Sequence, residues 1–99
     1  MGPEADTYPS PQGTTGRMVR LAGGDGNYLI LHTSGPHAGI VYHVQGCIFM
    51  LYSQYGNTRS FLGFPLNEEH NVPGGLQEDF EGGSIYWDRA TYHCHVVRP

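Results

Sequence analysis

Two glycine-rich turns, each set between short apolar segments, lie far apart in the chain and limit its architecture more than anything else in it. The first is Gly23-Gly24-Asp25-Gly26-Asn27, with Met18, Val19 and Leu21 before it and Tyr28-Leu29-Ile30-Leu31 after it. The second is Gly82-Gly83, flanked by 76–81 and by Ser84-Ile85-Tyr86-Trp87. Apolar, turn, apolar is the pattern of a β-hairpin, because glycine tolerates the backbone angles that a tight reversal demands. Further strands are expected at Ile40-Val41-Tyr42-His43-Val44, ended by Gly46, and through His95-Val96-Val97 after a turn near Asp88-Arg89-Ala90. The hairpins read as two copies of one unit. Leu21 aligns with Phe80, Tyr28-Leu29-Ile30 with Ile85-Tyr86-Trp87, and Val44 with Val97.

Between the units, Ile48, Tyr52 and Tyr55 recur at helical spacing ahead of Gly56, which predicts a two-turn helix over 48–55 with a glycine stop. Residues 57–75 show no sustained period and read as a long ordered loop or a set of turns. The fold class is therefore mainly β, a small α+β domain: hairpin unit 17–46, helix 48–55, loop 57–75, hairpin unit 76–97. A chain of 99 residues has room for one core. Residues 1–16 hold Pro3, Pro9, Pro11, Ser10, Thr14 and Thr15 with almost no aliphatic content, and a disordered tail is expected there.

Charge excludes some partners. The basic residues are all arginine, Arg17, Arg20, Arg59, Arg89 and Arg98, and the net charge is -4, so nucleic acid is not an expected partner. The acidic run Glu78-Asp79 with Glu81 reads as a solvated strand face. No apolar stretch approaches the ~18 to 20 residues of a spanning helix, and membrane insertion is not expected. The N-terminus has no charged-then-apolar leader, which fits a processed start, a cytosolic protein or another export route. Cys47 and Cys94 are the smallest possible disulfide set. Their spacing does not say whether they meet, and two separate buried thiols are the preferred reading over a bridge.

The segment from the helix onward resembles the LGFP repeat family. The residues that carry the likeness are Ile48, Tyr52, Gly56, Leu62-Gly63-Phe64-Pro65, Glu68-Glu69, Pro73-Gly74-Gly75 and Phe80-Glu81-Gly82-Gly83-Ser84-Ile85-Tyr86-Trp87. The likeness is strong over about half the chain and weak over 17–46. Tyr52 stands where the family often has Trp, and the first hairpin lacks the Ile-Tyr-Trp triplet. The resemblance implies a secreted or cell-wall-associated module, found in arrays on actinobacterial envelope proteins, that binds wall polysaccharide such as arabinogalactan and has no catalytic centre.

In the repeat itself, Gly82-Gly83 is expected to supply positive φ at the hairpin turn, and Leu62 and Phe64 to act as packing wedges held extended by Pro65. A sugar site needs an aromatic face flanked by carboxylate, amide or guanidinium groups. Tyr86, Trp87, Asp88 and Arg89 supply this mixture, with Tyr86 and Trp87 on opposite faces of their strand. Asn67, Glu68, Glu69 and Tyr55 form a second polar-aromatic set around the loop, together with Asn57 and Arg59. His93 and His95 share a strand face, with Cys94 pointing away, and are read as solvated imidazoles rather than metal ligands. No Gly-x-Ser-x-Gly elbow, His-Glu-x-x-His pair or phosphate loop is present, so neither catalysis nor a cofactor is expected. The leading expectation is non-catalytic, lectin-like carbohydrate binding. The alternative is a structural or protein-interaction module, and unpartnered repeat faces predict a homo-oligomer.

Overall fold

The computed structural model describes residues 4–6, 9–20 and 27–98. Strands β1 (Glu4–Asp6), β2 (Gly16–Arg20), β3 (Asn27–His32) and β4 (Val41–Gln45) form one antiparallel sheet in that order. Helix α1 (Gly46–Tyr55) and a 3-10 turn (Asn57–Arg59) follow. A second antiparallel sheet contains β5 (His70–Val72), β6 (Gly75–Phe80), β7 (Gly83–Asp88) and β8 (His93–Val97), again in chain order. The domain is mainly β with one helix between two matched hairpin units. Each unit has one strand more than the sequence pattern indicates. The glycine turn expected at Gly23-Gly24-Asp25-Gly26, and Leu21 with it, lie outside the described residues.

Strand parity determines what is buried. Ile30 and Val44 from the first sheet, Phe80 and Ile85 from the second, and Ile48, Phe49 and Tyr52 from α1 meet in one core. Gly56 ends the helix in the left-handed region, with its N–H bonded to the Ser53 and Tyr52 carbonyls, as the glycine stop predicts. Gly46 begins the helix rather than merely ending β4: at φ +62° it turns the strand directly into α1. The alignment of the two units also needs a one-residue correction. Val44 pairs with Tyr28 and faces the core, whereas the equivalent partner of Ile85 is Val96, and Val97 is 41% exposed. A shift of one residue on a strand exchanges the two faces.

Leu62, Phe64 and Pro65 are fully buried, which makes this segment a joint rather than a surface. It runs antiparallel to the end of β6 and the turn beyond it. Gly82 N–H donates to Leu62 O, Glu81 N–H to Phe64 O and Leu66 N–H to Asp79 O, at 2.8–3.0 Å. The Tyr52 hydroxyl donates to Gly63 O at 2.6 Å, tying in the helix. From the first sheet, His32 Nε2 bonds Pro65 O at 2.6 Å. Burial lowers the His32 pKa, so the ring is neutral at neutral pH and Nε2 carries the donated proton. The Phe64 ring lies against Gly16, where a Cβ would stand 2.3 Å from it. Gly63 takes φ +71°, a left-handed conformation that favours glycine.

Gly82 and Gly83 do not take positive φ. They are glycine because the backbone comes too close for a side chain: a Cβ on Gly82 would lie 1.8 Å from Phe61 O, and one on Gly83 2.9 Å from Val97 O.

Residues 9–16, read from composition as part of a tail, are packed against the second sheet, and residues 4–6 pair with β2. The hydroxyls of Ser10 and Thr14, both buried, donate to the Glu81 carboxylate, which also accepts the Phe64 N–H at 2.9 Å. Hydrogen bonding to one carboxylate, not aliphatic burial, holds the segment. The acidic run is accordingly not a solvated face: Glu81 is a hub, and Glu78, on the inward side of β6, is fully buried.

The two cysteines are joined, not separate thiols. Cys47, in the first turn of α1, is bonded to Cys94 on β8, with Cα atoms 6.1 Å apart and a sequence separation of 47. Closing a loop of this length removes entropy from the unfolded chain, an effect of about 2–4 kcal/mol. Cys94→Ser paired with Cys47→Ser is therefore expected to lower stability by about that amount, measured as the difference in urea midpoint from the oxidised protein. Dithiothreitol should shift the parent and leave the double variant unmoved.

Candidate functional site

The site is built from the alternation along β7. Ile85 points into the core, so Trp87, two residues on, lies on the same face and Tyr86 on the other. Trp87 pairs with Leu76 on β6 and with Cys94 on β8. Because Cys94 is bonded to Cys47, the joint between β4 and α1 is brought alongside Trp87. The result is a cleft of about 270 Å³ lined by Gln45, Gly46, Cys47, Ile48, Glu69, Leu76 and Trp87. Ile48 and Leu76 form apolar walls, while Gln45 and Glu69 supply an amide and a carboxylate, joined by a hydrogen bond of 3.3 Å from Gln45 Nε2 to Glu69.

The β7–β8 turn supplies the rim. Asp88 shapes it, its carboxylate accepting the Ala90 N–H at 2.9 Å and its carbonyl the Tyr92 N–H at 2.7 Å. Tyr92 adopts a left-handed conformation at φ +59° and is 74% exposed, with its ring 5.9 Å from that of Trp87. The Arg89 guanidinium stands 6.0 Å from the Trp87 ring centre, a cation–π distance, and the backbone N–H of Arg89 donates to Gly74 O at 2.9 Å.

Of the residues expected from sequence, Trp87 and Glu69 line the cleft, Arg89 stands at its rim and Asp88 holds the rim's shape. Tyr86 is on the opposite face, its ring against His95 at 5.1 Å and its hydroxyl donating to Pro73 O at 3.3 Å. Asn67 is occupied by Asp79 in both directions, at 2.7 and 2.9 Å. Glu68 accepts the backbone N–H of His43 and so closes the edge of β4. Tyr55 packs on Phe61 at the far end of α1, eight residues and about 12 Å of helix rise from Cys47. Gln45, Leu76 and Tyr92 were not anticipated. Gln45 is brought beside Trp87 by the disulfide and by the packing of α1 on the second sheet, and neither pairing was legible.

With this geometry in view, the comparison with known families is specific. Residues 62–99 match the family model of the LGFP repeat. No curated protein matches the chain. The matched LGFP repeat contains Glu69, Leu76, Trp87, Arg89 and Tyr92, whereas Gln45 to Ile48 precede it. The cleft is thus formed where the repeat meets the helix before it. His93 and His95 lie together on the exposed outer side of β8. Among the described residues, no group of three or more His, Cys, Asp or Glu is placed to hold a metal ion.

Behind the cleft lies Glu78, one inward position along β6 from Leu76. Neither carboxyl oxygen has a hydrogen-bond partner. Burial, reinforced by the charges of Glu68, Glu69 and Asp79, pushes its pKa from the ordinary 4.5 up to about 9. Folded protein therefore retains a proton that the unfolded chain releases, and stability falls as pH rises from about 4.5 to about 9. Glu78→Gln removes the ionisable group while keeping its shape. At pH 7 the variant should be more stable by about 3 kcal/mol, at 1.36 kcal/mol per pH unit. Urea melts at a series of pH values should show the downward slope of the parent flattened by one proton in the variant; an unchanged slope refutes the assignment.

Proposed function

We propose that this protein is a non-catalytic carbohydrate-binding module whose ligand stacks on Trp87 in the cleft between α1 and the second sheet, as the wall-associated LGFP repeat would require. The observation that carries this reading is the placement of Trp87. Its ring is neither enclosed in the core nor isolated on the surface; it forms one wall of a cleft whose other walls hold an amide and a carboxylate. A sugar ring presents C–H groups on one face and hydroxyls around its edge, and these two kinds of surface match an aromatic face and an amide–carboxylate pair. The cleft, at about 270 Å³, falls just below the ~300–1,000 Å³ range of small-molecule sites, which suits one terminal ring of a longer glycan. The partner on this reading is a wall polysaccharide of the arabinogalactan kind, and the setting is the cell wall or the secreted space.

Trp87 is the sole tryptophan, so its fluorescence reports directly on the site. Titration with soluble wall polysaccharide should change its emission. Trp87→Ala should weaken binding, followed by calorimetry, about tenfold or more, equivalent to about 1.4 kcal/mol. Tyr86→Phe, on the other face, should leave affinity unchanged. Binding that survives in Trp87→Ala refutes the reading.

A second reading, a self-associating interaction module, is favoured by the first sheet. Its outer side carries Val19 beside Leu29 and Leu31 beside Val41, which together form an aliphatic surface. Pairing of two copies through this face would bury like against like. Sedimentation across micromolar to millimolar concentrations should then show a dimer that Val41→Asp dissociates, while a monomer throughout removes the reading.

A further inference from the structure

We infer that the Trp87 cleft selects a glycan bearing a free amino group, a cationic amino sugar rather than its neutral N-acetylated form. The inference rests on the proposed carbohydrate-binding role and specifies the chemistry of the ligand. Among the residues that line the cleft, Glu69 is the one charged group, and it faces the space bounded by the Trp87 ring. Gln45 Nε2 donates to it at 3.3 Å, which leaves acceptor capacity on the carboxylate for a charged donor. An aromatic face and a carboxylate on the same cleft are complementary to an ammonium group, by cation–π attraction and by a charge-assisted hydrogen bond.

Glu78, behind the cleft, leaves the ligand-facing charge to Glu69. It lies on the same inward face of β6 as Leu76, a residue of the cleft wall, and both of its carboxyl oxygens are buried without a hydrogen-bond partner. Buried unpaired acceptors are rare because each one forgoes its hydration. Glu68, Glu69 and Asp79 act on it electrostatically, and Tyr52 lies near enough to be influenced by Glu78 in turn. Glu78 is protonated at neutral pH, so the negative charge that faces the cleft is that of Glu69. The nearest cation to the ring is Arg89, which is exposed, stands at the rim and does not line the cleft. An incoming ammonium group would approach the ring from within the cleft, against Glu69, and not at the rim where Arg89 stands.

The test compares two probes with the same backbone, a tetramer of β-1,4-linked glucosamine and its fully N-acetylated counterpart, by Trp87 fluorescence and calorimetry at pH 6. The free-amine tetramer is expected to bind about tenfold or more tighter, with the advantage shrinking as salt rises. Glu69→Gln should abolish the difference between the two tetramers, and Trp87→Ala should weaken both. Equal, Trp87-dependent affinities for the two tetramers overturn the selectivity but leave carbohydrate binding in place. If neither binds, the inference falls outright, and the polysaccharide titration described above decides the carbohydrate-binding role separately.

Discussion

The Leu62-Gly63-Phe64-Pro65 backbone is in hydrogen-bond contact with almost everything else in the domain. Its carbonyls receive the Tyr52 hydroxyl from the helix, the His32 ring from the first sheet and the Glu81 and Gly82 amides from the end of β6. The apolar side chains between those carbonyls fill the centre of the core. Each sheet has only one apolar face and neither could bury it alone, so the segment is what allows two small meanders to share one interior. The positive φ of Gly63 and the restriction imposed by Pro65 on Phe64 place polar backbone and apolar side chains on the required sides.

That role was readable in the sequence, and so were the hairpins and the helix, because period and glycine placement are local signals. The failures have a common physical origin. Glu78 follows Leu76 and precedes Phe80 on the same side of one strand, so parity alone turns it inward. Its charge argued otherwise, and parity prevailed. Ser10 and Thr14 lack apolar content, but their hydroxyls find an acceptor 67 or more residues away on Glu81. Gly82 is explained by the carbonyl of Phe61, another chain segment, and not by its own torsion angles. In each case the deciding partner is distant in sequence, where no local pattern registers it.

The site divides in the same way. Trp87 and Glu69 could be selected by residue type and by strand alternation. What turns them into a cleft is the β4–α1 joint, some forty residues upstream of Trp87, drawn against β8 by Cys47–Cys94. Carbohydrate-binding surfaces and core anchors draw on the same aromatic residues, so residue type cannot tell them apart. Position relative to a wall contributed from elsewhere in the chain can.

The disulfide has a topological consequence as well. It closes a ring from Cys47 to Cys94 that contains the helix beyond its first turn, the Leu62–Pro65 joint, Glu69, Leu76 and Trp87. One peptide bond hydrolysed anywhere within that ring leaves a nicked molecule whose two chain pieces stay covalently joined. Every wall of the cleft then stays on the same covalent body.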